Sequence, residues 1–187
     1  MTTDSPFSAG STGAMGPASL GGSTGAFVKS VLLVTAIAGT LDIIAAHLHI
    51  WGVTGRFPAA VFKGIAGGAF GRERAMQGGL GMIAWGVFFH YFISFAFTLL
   101  FFLLRPRWAL LRKNVFAVGT GYALAVWTVM TYIVLPLSAL PWRAPNFGNI
   151  HTYIGIVVLI TVFGVPIALG AARFYRGDLN PSRLGRD

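Results

Sequence analysis

The stretch LDIIAAHLHIWG, residues 41–52, sets Asp42, His47 and His49 inside an otherwise apolar run, and two further histidines, His90 and His151, occur in later apolar runs. A carboxylate and several imidazoles open three kinds of chemistry. Together they can accept, hold and release a proton across the physiological range. The set His49, His90, His151 and Asp42 also offers ligand types suited to Zn, Fe or Cu. Paired histidines on facing helices at one depth would suit haem b. Against these stands a structural use: an aspartate and a histidine can clamp two helices together, since interhelical hydrogen bonds in membranes contribute ~0.6–2 kcal/mol. Cysteine is absent, so thiolate metal sites, disulfides and a cysteine nucleophile are excluded. No Ser-His-Asp spacing argues for a hydrolase, and Ser94 one turn from His90 is read as coincidence. The reading is of a non-enzymatic protein.

The elements that must position these residues follow from composition. Of 187 residues, 55% are hydrophobic and 10% charged, and the mean hydropathy is +0.72, beyond the range of a soluble domain. Four apolar runs, at about 29–51, 77–104, 114–138 and 150–172, are long enough to span a ~30 Å hydrocarbon core. Each is expected to be a helix, because lipid cannot satisfy exposed backbone groups and the alternation of barrel strands is missing. The fold class is therefore all-α, a four-helix integral membrane bundle in contact with the lipid bilayer.

The net charge of +9 does not indicate a nucleic-acid partner, because the Lys and Arg residues gather at the ends of the runs. They read as topology signals. Lys29, Arg105, Arg107, Arg112, Lys113, Arg173, Arg176, Arg183 and Arg186 fall on one side, against Arg56, Lys63, Arg72, Arg74 and Arg143 on the other. The positive-inside rule puts both termini in the cytoplasm.

Residues 1–27, rich in Gly, Ser, Thr and Ala, read as a flexible tail, and 174–187 as a short basic one. The transmembrane domain is 28–173. Between the first two spans, Pro58 followed by Val61, Phe62, Ile65, Ala69 and Phe70 predicts a short helix at the outer interface, with re-entrant insertion as the alternative. Gly64, Gly67, Gly68 and Gly71 would let it pack closely, and the spacing Ala117 to Gly121 suggests another packing contact. Arg105, Arg107 and Trp108 are expected to anchor the second span at the cytoplasmic interface. Trp142 should lie at headgroup level in the proline-rich outer loop, and Pro166 should bend the fourth span. The run FFHYFISFAFTLLFFLL reads as lipid-facing bulk.

Plotted at ~100° per residue, the first span aligns Thr35, Ala38, Asp42, Ala45 and His49, while His47 points elsewhere. The second aligns Gly79, Gly86, His90 and Ser94; the third aligns Thr120, Trp127, Thr131 and Ser138. These small and polar faces should meet inside the bundle, leaving Leu, Phe, Val and Ile to lipid. Counting ~1.5 Å per residue puts Asp42 and His90 at similar depth, with His49 ~10 Å nearer the outer surface, on the same side as His151. An ionised carboxylate at mid-bilayer costs roughly 2.5–3.5 kcal/mol, so Asp42 needs a partner, and His90 is the nearest in depth. That separation makes one four-ligand metal site awkward.

The order of motifs, an aspartate in the first span, then FPAAVFKGIAGGAFGRERAMQGG, FFHYFISF, VLPLSAL and NIHTYIG with FGVPIALGAAR, resembles a group of small four-helix bacterial inner-membrane proteins. It is more distantly similar to the YagU-type proteins. The resemblance covers about residues 35–173 and implies Asp42, His90 and His151 as common polar positions, with Pro136 and Pro166 shaping the helices. His47 and His49 fall outside that pattern, and no chemistry comes with it. The functional expectation is a buried Asp/His site that handles protons or ions, or an accessory subunit of a membrane complex, the alternative being a metal- or haem-binding redox protein. Four spans make a small transporter, so transport would call for a homo-oligomer.

Overall fold

The computed structural model describes residues 20–55 and 59–176, which are helical throughout apart from their connections. The helices are α1 (Leu20–Thr54), α2 (Ala59–Phe70), α3 (Arg72–Gln77), α4 (Leu80–Leu104), α5 (Val115–Leu137) and α6 (Ile150–Arg176). Four of them, α1, α4, α5 and α6, are long and apolar enough to cross a membrane, which makes the chain a multi-pass membrane protein. The spans lie close to the predicted runs. The main extension is at the start of α1, where Phe27 packs edge-on against Phe102 and Phe174, with centroids 5.9 and 5.8 Å away. Residues 1–19, 56–58 and 177–187, which include Pro58 and most of both predicted tails, lie outside the described residues.

Local chemistry sets the ends. The Asn114 side chain accepts from the backbone N–H groups of Phe116 and Ala117 to cap α5, and Asn149 accepts from His151 N to cap α6, satisfying amides that have no partner within the helix. Gly71 turns the chain between α2 and α3 at φ 82°, a left-handed conformation that side chains resist.

Each proline-bearing span contains a wide π turn just before its proline. In α5 it covers Met130–Val134, closed by Leu135 N–H donating to Met130 O; in α6 it covers Ile160–Gly164, closed by Val165 N–H donating to Ile160 O. Proline has no N–H to give and its ring crowds the carbonyl one turn back, so the ladder loosens by one residue. The disturbance predicted at Pro166 takes this form. In α5 the loosening frees the carbonyl of Thr131, and the Trp142 indole donates to it at 2.7 Å. Trp142 of the proline-rich loop is thus tied to a broken rung of the helix.

The bundle is packed unevenly along its length. The core lies toward the end that bears Lys29, Arg105 and Arg173, and consists of Val31, Val34 and Ala38 of α1, Phe101 and Phe102 of α4, Val118 and Val126 of α5, and Phe163, Ile167, Ala168 and Ala171 of α6. Phe101 and Phe102 are fully buried, so the Phe-rich run supplies the centre of the core as well as lipid-facing bulk. Leu, Phe, Val and Ile are thus shared between core and lipid, because a bundle this small needs large side chains to fill its centre. At the opposite end, α1, α2, α3, α4 and α5 line an open, mostly apolar cavity of about 840 Å³.

Two predicted contacts differ. In α5 the buried face is Val118, Gly119, Ala123 and Val126, while Thr120, Trp127 and Ser138 are half-buried and only Thr131 of the predicted stripe is buried. Ala117 and Gly121 are exposed, and a side chain at Gly121 would meet nothing. The close crossing is made by Gly119 instead, where a Cβ would come 2.9 Å from Val165 Cα. The short helix α2 packs along α4: a Cβ on Gly86 would fall on the Phe62 carbonyl, about six residues or ~9 Å inward from the start of α4.

Candidate functional site

Helices α1 and α4 run antiparallel and meet along a polar seam. On α4 the buried residues Gly86, His90, Ser94 and Thr98 recur every four positions, so they form one stripe along the helix. On α1 the same face carries Thr35 and Gly39, both buried, with Asp42 half-buried. Gly39 permits the approach: a Cβ there would stand 3.3 Å from both Ser94 Oγ and Tyr91 Cε1.

His90 is 9% exposed, and its Nε2 lies 2.8 Å from Gly39 O. A carbonyl can only accept, so Nε2 carries the hydrogen and Nδ1 is the nitrogen left open to a proton. His90, expected as the partner of Asp42, gives this nitrogen to the backbone instead. Asp42 still lies within electrostatic reach of the His90 ring, so the depth count that paired them holds as proximity. A second bond crosses the same seam, Thr40 Oγ1 to Tyr91 OH at 2.8 Å. Further inward, Thr35 Oγ1 and Thr98 Oγ1 are buried without a hydrogen-bond partner among the described residues, which for hydroxyls in a closely packed seam is an unpaid polar cost.

His49 and His151 form a separate group. His49 of α1 and His151 at the start of α6 meet edge to face, with ring centroids 5.3 Å apart; His151 is exposed and His49 half-buried. His47 faces α2, its Nδ1 donating to Ile43 O at 2.6 Å and its ring lying 4.8 Å from the Phe62 ring. It is a packing residue between α1 and α2, where the sequence suggested only a side chain pointing away.

The structure does not gather the predicted metal ligands. Among the described residues no group of three or more His, Asp, Glu or Cys side chains is placed to hold a metal ion. The physical reason is depth, because two turns of α1 separate Asp42 from His49 and each keeps a different histidine. His49 and His151, the two histidines that meet at one depth, touch ring against ring, whereas bis-histidine ligation of haem b needs the two rings to face each other across the macrocycle.

Several residues of the seam escaped the sequence reading. Thr98 continues the four-residue spacing from His90 and Ser94 and was accessible by that rule. Tyr91 and Thr40 had no such signal. Arg105, grouped in the sequence with Arg107 and Trp108 as an interface anchor, is 6% exposed, while Arg107 and Trp108 are exposed. Comparison of the chain with family models, curated proteins and solved structures found no match.

Proposed function

We propose that this chain is a bacterial inner-membrane protein, with both termini in the cytoplasm, whose α1/α4 seam binds and releases protons at Asp42 and His90. The carrying observation is the placement of a carboxylate within electrostatic reach of an imidazole that is already fixed by one nitrogen. Fixing Nε2 on Gly39 O leaves Nδ1 as the exchangeable position, and carboxylate and ring then hold protons as one coupled unit. Ser94, Thr98 and Thr35 extend the polar seam inward, and hydroxyls, which donate and accept, are the groups that can pass a proton along such a seam. Transport of this kind calls for a homo-oligomer or a larger membrane complex around so small a bundle. The resemblance to small four-helix bacterial proteins is part of this reading, with Asp42, His90 and His151 as its polar positions.

The test is proton flux into liposomes that contain the purified protein and a trapped pH-sensitive dye. Flux above that of empty liposomes is expected, and it should disappear in Asp42→Asn and His90→Gln variants that keep their helical spectrum. Wild-type protein that leaks no faster than empty liposomes would overturn the proposal. A second reading, a helix clamp, draws on the bond from His90 to Gly39. It expects the same variants to lose stability while flux is absent from the start.

A further inference from the structure

The end of the bundle opposite the outer histidines holds a cavity of about 450 Å³, where α4 ends, α5 begins and α6 finishes. Its charged lining is Arg105, Arg112, Lys113 and Arg176, with Tyr175 and Pro106 beside them. Among the described residues the acids are Asp42, within α1, and Glu73, in α3 beyond the far end of α4, so neither lines this cavity.

Arg105 is the unusual member. It is 6% exposed; one terminal nitrogen donates to Leu111 O at 2.7 Å, and its Nε is buried with no hydrogen-bond partner among the described residues. A guanidinium carries five N–H donors in a planar fork that matches the oxygens of a phosphate or carboxylate. Burying it with an idle donor beside other cations is costly unless an anion is taken up. Burial moves its proton affinity below the ordinary arginine range, and the neighbouring Arg176 and Arg112 cations push the same way. Tyr175 is already engaged, its hydroxyl donating to Phe102 O at 2.7 Å, so it shapes the wall and leaves the anion to the cations. The position also fits: α4 ends here after a full membrane span, which is the depth of lipid phosphates, and basic pockets between helices at that level take up anionic head groups.

We infer that this cavity is a binding site for a phosphate-type oxyanion, gripped by Arg105 with Arg112 and Lys113 at its rim. The chemistry is that of a phosphodiester or phosphomonoester, supplied by the head group of an anionic lipid or by free phosphate. The inference stands apart from the proton reading, since it shares no residue with Asp42 and His90.

The full chain in detergent micelles, examined by native mass spectrometry and thermal melting, tests it with phosphatidylglycerol, phosphatidylcholine and inorganic phosphate as probes. Phosphatidylglycerol should bind more tightly than phosphatidylcholine, and Arg112→Gln with Lys113→Gln should weaken it roughly tenfold while the buried Arg105 stays in place. Arg105→Gln should weaken it further if the variant folds; the rim variant carries the test if it does not. Stabilisation by inorganic phosphate alone, lost in the same variants, supports the site with a soluble source; stabilisation by phosphatidylglycerol only supports the lipid. Equal binding of both lipids, indifferent to the rim variant and with no response to phosphate, overturns the inference. So does binding that appears only after Asp178→Asn and Asp187→Asn, because the chain's own carboxylates would then be the occupant.

Discussion

The seam between α1 and α4 and the seam between α5 and α6 solve the same problem by different means. The first is joined by side chains, with His90 donating to Gly39 O and Tyr91 meeting Thr40. The second closes on backbone: a Cβ on Gly164 would fall on the Gly119 carbonyl and lie 2.7 Å from Ala123 Cβ. At Gly164 the nearest atoms across the crossing are the Gly119 carbonyl and the Ala123 methyl group. Lipid gives helices no hydrophobic reason to associate, so polar bonds and close backbone approach are the two available sources of adhesion. A polar seam tolerates change, because another donor can take over. A glycine seam does not, because the space is occupied by the partner's main chain.

That contrast orders the expected effects of substitution. Gly164→Leu should be the most damaging, at ~3 kcal/mol or more, the upper end of the cost of overfilling a packed interior; denaturation by SDS in mixed micelles measures it. A smaller loss than for His90→Ala would reverse the ranking of the two seams. His90→Ala should cost ~1–3 kcal/mol, since it removes the bond to Gly39 O and the imidazole within electrostatic reach of Asp42. His90→Gln, which keeps an N–H able to reach Gly39 O, should recover part of that loss in the same titration. Failure of Gln to recover anything would mean that the ring's charge, and not its donor, holds the seam. Tyr91→Phe should cost only ~0.6 kcal/mol, typical of a single interhelical hydrogen bond; a double-mutant cycle with Thr40→Val should return most of it as coupling. At the small end, His151→Gln should change stability by less than ~0.5 kcal/mol, because the residue is exposed and its contact with His49 is a single ring pair. A larger drop would move the outer histidines from the rim of the molecule to its framework.

The spans were legible in the sequence because membrane insertion is a coarse, additive property, and runs of Leu, Phe, Val and Ile declare it whatever their neighbours are. The nearness of Asp42 and His90 was legible for a related reason: antiparallel helices of fixed rise turn residue counts into depth. The acceptor that His90 uses was not. A backbone carbonyl is present at every position, and only the local absence of a side chain at Gly39 lets the ring approach one. The inward face of α5 was misjudged because Thr120 and Trp127 are polar or amphipathic, and a rule that sends such groups inward competes with one that sends the smallest residue to the closest crossing. Gly119 won, since the backbone of α6 needs its space. Arg105 was read by its charge and its place at a helix end, both of which are shared with Arg107; burial distinguishes the two, and burial depends on where the end of α6 comes to rest.

The two π turns have a consequence for helical phase. Each adds a residue to the ladder without adding a full residue's worth of rotation to the surface, so the face presented after the turn is offset from the one before it. In α6 the ten residues ahead of the turn, Ile150–Leu159, contain no buried side chain, whereas those within and after it place Phe163, Gly164, Ile167, Ala168, Ala171 and Ala172 in the interior. One span thus behaves as two half-helices with independent azimuths, the outer free to bring His151 to α1 and the inner locked against α5. Deleting one residue from Ile160–Gly164 would restore a single phase, and the two halves would then have to compete for the same orientation.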